Sequence, residues 1–304
     1  MCHVTAAAQK LADYAKATDP RATTPEARMA LNYLDVFGYL PKELAGWKDI
    51  SLGDIVNAVA AFQGFFGLPA TGHLDAKSVR AMEAQRCGMP DLVREDQPAG
   101  VEYMKVKAFA EANLARWTKT GLTYYVDSYV GGLPQTAQDG IIAAAFADWT
   151  AVCNLGVTRA STPQADIIIQ ADRGNRSNFD GPGGVLAWAY LPDGRDNQLL
   201  MKFDLDETWT ADPAARGVLM KNVATHEIGH LLGLDHSRVQ AALMAPYYAV
   251  GVGTPQANDD IPRIQARYGT RQGPPQPPPP PPAAGRTLTV SGAFNVFLDG
   301  RQVA

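Results

Sequence analysis

Three of the chain's five histidines fall in the run His226-Glu227-Ile228-Gly229-His230-Leu231-Leu232-Gly233-Leu234-Asp235-His236, and no other feature constrains the local fold as strongly. On an α-helix, positions four apart are rotated by only about 40°, so His226 and His230 present their rings side by side. Gly233 follows three residues later. Lacking a side chain, it can take the left-handed conformation that stops a helix and reverses the chain, which lets His236 return to the same point. Three imidazoles leave a tetrahedral zinc one open position, the arrangement of a catalytic site, whereas a structural site would be closed. Glu227, beside the first histidine, is the general base such a site needs. Ordinary helix histidines have no reason to show this spacing; His3 and His73, which lack partners in sequence, are read as exposed or core residues.

At 304 residues the chain is long enough for about two domains. Its 46% hydrophobic and 19% charged residues are ordinary for a globular protein. No apolar run approaches the ~20 residues of a spanning helix. A net charge of -4 supplies no basic field for phosphates, so nucleic acid is not expected as a partner. The first twenty residues lack the basic start and apolar stretch of a signal peptide, so export is not legible there. Cys2, Cys87 and Cys153 are too few and too scattered for a disulfide scaffold.

Residues 26–86 alternate amphipathic helical patterns with turns: ARMALNYLDVFGYL, SLGDIVNAVAAFQGFFGL and DAKSVRAMEAQRC. In the second, Ile55, Val59, Phe62 and Phe66 recur at steps of three and four, marking one buried face. From GLTYYVDSYV onward, strand patterns such as ADIIIQAD and GGVLAWAY accompany a helical TAQDGIIAAAFADWTAV, which indicates an α/β or α+β domain ending near Tyr268 and Gly269. GPPQPPPPPP then reads as an extended spacer. Beyond it, LTVSGAFNVFLDG alternates apolar residues at period two and suggests a hairpin, either a frayed tail or the opening of a truncated module.

The pattern HExxHxxGxxH followed by a methionine turn, here Ala242-Leu243-Met244-Ala245-Pro246-Tyr247-Tyr248, resembles the metzincin signature. Ser237 after the third histidine points to the matrixin branch. LTYYV, QADIIIQAD, FDGPGGVLAWAY, KFDLDETWT and DDIPRIQARYG are also similar to matrixin segments. Arg86-Cys87-Gly88-Met89-Pro90-Asp91 resembles the cysteine switch of matrixin propeptides, and FQGFFGLPATGHLD resembles their peptidoglycan-binding-like helical domain. The resemblance implies an α+β fold: a helical propeptide, then a metzincin catalytic domain with a mixed twisted sheet, long helices and an active-site helix ending at a glycine. The expected division is 1–91 propeptide with switch, 92–116 activation linker, 117–270 protease domain, 271–285 proline-rich linker and 286–304 partial C-terminal segment.

By the same resemblance the chain is expected to be a latent zinc endopeptidase. His226, His230 and His236 hold the metal, Glu227 works the water, Cys87 blocks the open position as a thiolate, and Arg86 pairs with Asp91 to hold the loop across the cleft. Met244 is structural. Asp180, Gly181, Gly183, Val185, Asp204 and Glu207 match a calcium site, chemically reasonable because carboxylates and carbonyls are the hard ligands calcium takes. The family's second, structural zinc is expected to be absent, since its ligand positions carry Arg173, Asn175, Trp188 and Lys202. Leu186 and Ala187 are expected to flank an extended protein or peptide substrate, with Pro246 and Tyr248 walling the S1′ pocket. The expected setting is extracellular, as a monomer with cell-wall or matrix association. An alternative is a cell-wall-targeted binder in which the protease domain is secondary; an inactive pseudoenzyme would need a lost ligand or base, and none is missing.

Overall fold

The computed structural model describes residues 25–40, 50–92, 116–174, 177–273, 288–291, 295–298 and 301–302. Cys2, His3, Asn175, nearly all of the 92–116 linker and most of the 271–285 linker lie outside the described residues.

Three helices open the chain: α1 (Pro25–Val36), α2 (Leu52–Phe65) and α3 (Ala76–Met82). Ser51 and Asp54 start α2 with a reciprocal capping box, and Asp75 caps α3 through the backbone N–H groups of Lys77 and Ser78. Ile55, Val59, Phe62 and Phe66 are all buried, as their periodicity predicts. Gln63 is buried as well; it accepts from Gly72 N–H and donates to the His73 carbonyl and the Ser78 hydroxyl, pinning the turn that leaves the His73 side chain exposed.

The third helical pattern stops earlier than its sequence suggests. The helix ends at Met82, and Arg86–Cys87 forms a short strand, β1. The reason is tertiary. Arg86 N–H donates to the Gly184 carbonyl, Cys87 N–H to Pro246 and Gly88 N–H to Ala187, so both walls of a cleft claim backbone groups that a helix would have used internally.

The larger unit contains β2 (Gly121–Val126), α4 (Gln135–Thr150), β3 (Gly156–Arg159), β4 (Ile167–Asp172), β5 (Val185–Ala189), β6 (Leu199–Asp204), β7 (Trp209–Thr210), β8 (Val218–Leu219), α5 (Met220–Leu231) and α6 (Asp260–Tyr268). One six-stranded sheet runs in the order β1-β5-β6-β4-β2-β3, and only the β5–β6 pairing is antiparallel. The helices α4 and α5 pack on each other and against the sheet, enclosing Tyr124, Phe146, Trp149, Ile167 and Phe203. Indole N–H groups tie the layers: Trp149 Nε1 donates to the Thr225 carbonyl at 2.7 Å and Trp117 Nε1 to Leu231 at 2.8 Å. A second apolar core joins the first three helices to Cys87, Met89, Phe179, Val185 and Trp188.

After the proline-rich stretch, β9 (Leu288–Ser291) and β10 (Asn295–Leu298) pair antiparallel, which is the expected hairpin; β11 (Arg301–Gln302) adds a third strand. No helix among the described residues is long and apolar enough to cross a membrane.

Candidate metal centre and its cleft

The helix α5 carries His226 and His230 on one face, with their ring centroids 4.9 Å apart and Nε2 to Nε2 at 3.1 Å. Gly233 has φ +97°, the left-handed conformation anticipated for it, and the reversal brings the His236 ring to 4.8 Å from that of His230. Cys87 enters from the opposite side, its Sγ 3.4 Å from His230 Nε2. One ligand atom from each of Cys87, His226, His230 and His236 lies within 4.8 Å of all the others, and all four residues are buried.

The outward nitrogens of two rings are fixed. His226 Nδ1 meets the Leu243 carbonyl and His230 Nδ1 the Leu234 carbonyl, each at 2.7 Å. A carbonyl only accepts, so Nδ1 carries the hydrogen and Nε2 keeps its lone pair turned inward. Burial pushes the His226 imidazole down to about 3 and also lowers His230 and His236, keeping all three neutral and able to ligate. Burial, then the neighbouring Glu227, raises the Cys87 thiol well above its ordinary range. The Glu227 carboxyl, pushed up to about 8 by burial, and His236 Nε2 have no hydrogen-bond partner among the described residues. Lone pairs converging on one point, with buried polar atoms left unpartnered around it, suit a metal, and an N₃S donor set fits zinc.

Beneath the helix Met244 is fully buried against Gly229. A Cβ at Gly229 would sit 2.3 Å from the Met244 sulfur and 2.8 Å from Trp149, so the close packing requires a glycine there. Asp260, at the start of α6, holds this turn by accepting the N–H groups of Leu243, Met244 and Gln256.

The cleft beside the centre is filled by the chain's own segment. Gln85 to Gly88 lie between β5 and the Pro246–Tyr248 segment, and Tyr248 N–H donates back to the Gln85 carbonyl at 2.8 Å. Leu186, Pro246 and Tyr248 line a small residual cavity of about 30 Å³ next to Glu227, while Ala187 takes part through its carbonyl. Two participants were not singled out in the sequence reading. Asn222 donates to the carbonyls of Ala249 and Val250 and so fixes the far wall; Tyr39 donates to Asp91 at 2.7 Å. Neither belongs to a motif, because each acts through a contact distant in sequence. Arg86 forks onto Asp91, Nη2 to Oδ1 at 2.6 Å and Nη1 to Oδ2 at 3.1 Å, and lies over the Phe37 ring.

At the expected calcium residues, Asp180 accepts from Val185 N–H and Glu207 from Gly183 N–H, while Asp204 Oδ2 is buried without a partner. Burial first, then neighbouring carboxylates, raises the Asp204 and Glu207 carboxyls. Gly181 and Gly183 have φ near +90° and shape the turn. At the positions expected to have lost a second zinc, Lys202 Nζ pairs with Asp172 at 2.9 Å and reaches the Ser177 hydroxyl at 3.2 Å, Trp188 Nε1 donates to the Ser177 carbonyl, and Arg173 pairs with Asp206. Cys153 is fully buried, with its thiol pushed up to about 12 by burial.

The matrixin family model matches residues 116–269, and a peptidoglycan binding domain model matches residues 23–82. The chain is 40% identical over 225 residues to interstitial collagenase of Equus caballus, covering 73% of this chain and 45% of that protein. It is 36% identical over 260 residues to stromelysin-1 of the same species, covering 83% and 51%, and 35% identical over 247 residues to human matrix metalloproteinase-19, covering 79% and 45%. The chain thus spans about half the length of these relatives. With the matrixin model covering just over half of its residues, and the histidine cluster standing where the motif put it, the chain belongs to the matrixin family.

Proposed function

We propose that this chain is a zinc-dependent endopeptidase held latent by its own N-terminal domain, acting on peptide bonds of extracellular or cell-surface proteins. The observation that carries the reading is the buried convergence of Cys87, His226, His230 and His236 beside an unpartnered Glu227. In the active form His226, His230 and His236 would hold zinc, which would supply an activated water and polarisation of the scissile carbonyl. Glu227 takes a proton from the attacking water and passes it to the leaving amine, a task for which its carboxyl stands beside the histidine cluster with no other hydrogen-bond partner among the described residues. The Gly184, Ala187 and Pro246 carbonyls and Tyr248 N–H, now bonded to residues 85–88, are the main-chain groups an extended substrate would use once that segment leaves. Leu186, Pro246 and Tyr248 then line the pocket for the side chain that follows the cut bond.

Latency follows from competition for one position. With zinc held by the three histidines, Cys87 would take as a thiolate the position that the reacting water needs, and a thiolate is the stronger zinc ligand. Asp180, Asp204 and Glu207, with the carbonyls of Gly181, Gly183 and Val185, form the proposed calcium site, supported by the raised carboxyls there. One zinc is proposed, because the Lys202 ammonium already occupies the second position's surroundings. Elemental analysis together with a casein assay before and after brief trypsin treatment tests this reading. About one zinc per chain, and activity only after cleavage, is expected; a zinc-free chain would refute it.

The match of residues 23–82 favours a second reading, attachment to cell wall. A pull-down on purified peptidoglycan decides it: retention by the full chain, lost when residues 1–91 are removed, is the supporting result.

A further inference from the structure

His226 and His230 have their outward nitrogens held by backbone carbonyls of the protease domain itself. His236 differs. Its Nδ1 lies 2.9 Å from Asp91 Oδ1, both side chains are fully buried, and Asp91 belongs to the N-terminal segment that activation would remove. The two atoms lie within ion-pair distance, although Nδ1 makes no hydrogen bond of ordinary geometry among the described residues; a small ring rotation would complete one. The carboxylate is fixed from every other side. Oδ1 also accepts from Arg86 Nη2, Oδ2 accepts from Arg86 Nη1 and the Tyr39 hydroxyl, and the Asp91 N–H is tied to the Phe37 carbonyl.

We propose that Asp91 is a second arm of the latch: it accepts the Nδ1 hydrogen of His236 while that ring's Nε2 faces the metal, so the latent chain holds zinc more tightly than the cleaved one. The inference rests on the latency reading above. A carboxylate on the far nitrogen of a ligating histidine fixes its tautomer and raises its basicity, and such partners are commonly worth about 10–100-fold in metal affinity. One six-residue segment would then act on the metal twice, Cys87 by closing its open position and Asp91 by strengthening a ligand that stays. Cleavage and departure of the segment remove both effects, leaving the active enzyme with a histidine whose outer nitrogen meets water. Asp91 is here a positioning residue, acting on the metal only through His236.

The test uses the full chain on a Glu227→Gln background, which prevents self-cleavage, and reads zinc release to a competing chelator. In a further Cys87→Ser background the thiolate is gone, so any effect of Asp91 must pass through His236. Adding Asp91→Asn should speed release or weaken affinity about 10–100-fold, and Asp91→Glu should restore part of it. Arg86→Gln breaks the same ion pair but leaves the carboxylate beside His236, so it should hold zinc as the Cys87→Ser chain does. Should the Asp91 variant fail to fold, the unsubstituted ring decides. With histidine labelled in ¹⁵N, the His236 Nδ1–H signal should be protected from exchange in the latent chain and lost after cleavage, while those of His226 and His230 persist. Equal zinc release with and without Asp91, or a His236 signal unchanged by removal of the segment, overturns the proposal. A chain that takes up no zinc overturns the underlying reading, and this one with it.

Discussion

Glu227 and His230 sit on the same buried helix three residues apart, yet their replacement should fail in different ways. Glu227 has both carboxylate oxygens buried and no partner among the described residues, so Glu227→Gln leaves the three imidazoles in place. Zinc content should stay at about one per chain while turnover falls on the order of 100 to 10,000-fold, the usual contribution of a general base. Retained metal with retained turnover would mean that another residue moves the proton. His230→Ala removes the ring that touches both His226 Nε2 and Cys87 Sγ, and the metal should go with it, as elemental analysis can show. That His226 and His230 share one face was legible in sequence, because helix geometry alone fixes the relation between positions four apart. Asp91 was legible only as a partner of Arg86, five residues away; its contact with His236 depends on how two domains meet, which no local pattern encodes.

Packing between elements makes two further expectations quantitative. Gly229→Ala places a methyl 2.3 Å from the Met244 sulfur and 2.8 Å from the Trp149 ring, against a helix buried on nearly every side, so it should cost about 1–3 kcal/mol of stability as an overpacked core, visible as a lower unfolding temperature. A neutral result would show that the methionine turn is not pressed on the helix. The Lys202–Asp172 pair is softer, because the Asp172 side chain is 45% exposed and solvent screens it; Lys202→Ala should cost on the order of 1 kcal/mol or less. The bond from Ser177 and then Lys202 hold the Asp172 carboxyl down to about 2 from an ordinary value near 3.8. A depressed carboxyl contributes above its unfolded value and loses that contribution as pH falls through the folded one. The stability gap between wild type and Lys202→Ala should therefore be full at pH 6, shrink below about pH 4 and be smallest below about pH 2. A gap independent of pH would sink the ion-pair account. Sequence reading located most of these elements through periodicity, but it ran the third helical pattern into Cys87, since a strand two residues long carries no period and exists only because β5 and Pro246 receive its N–H groups.

At the scale of the whole molecule, the N-terminal helices are joined to the matrixin domain by more than the proposed metal centre. Its core continues into Phe179, Val185 and Trp188, Gly88 approaches β5 so closely that a Cβ would lie 2.6 Å from the Val185 side chain, and Arg86 is buried in a fork with Asp91. Under the proposed latency the thiol is nevertheless what decides activity, because it would contest the one position the reacting water needs. Cys87→Ser should make the full-length chain measurably active on a quenched-fluorescent peptide without proteolysis, since a neutral hydroxyl is a far weaker zinc ligand than a thiolate. Activity should remain below that of the cleaved enzyme, because residues 85–88 still fill the main-chain groups of the cleft until they are displaced. Cutting the wild-type chain between Cys87 and Trp117, a stretch that includes Arg94, Lys105, Lys107 and Arg116, should release the full rate by ending the tether that keeps the thiol at roughly mM effective concentration. Dilution after the cut should keep the enzyme active, whereas an uncut chain should stay silent at every concentration, because its inhibitor is intramolecular. Equal peptidase rates for the wild-type and Cys87→Ser chains before any cleavage would show that Cys87 does not guard the metal, and the propeptide reading of residues 1–91 would fail with it.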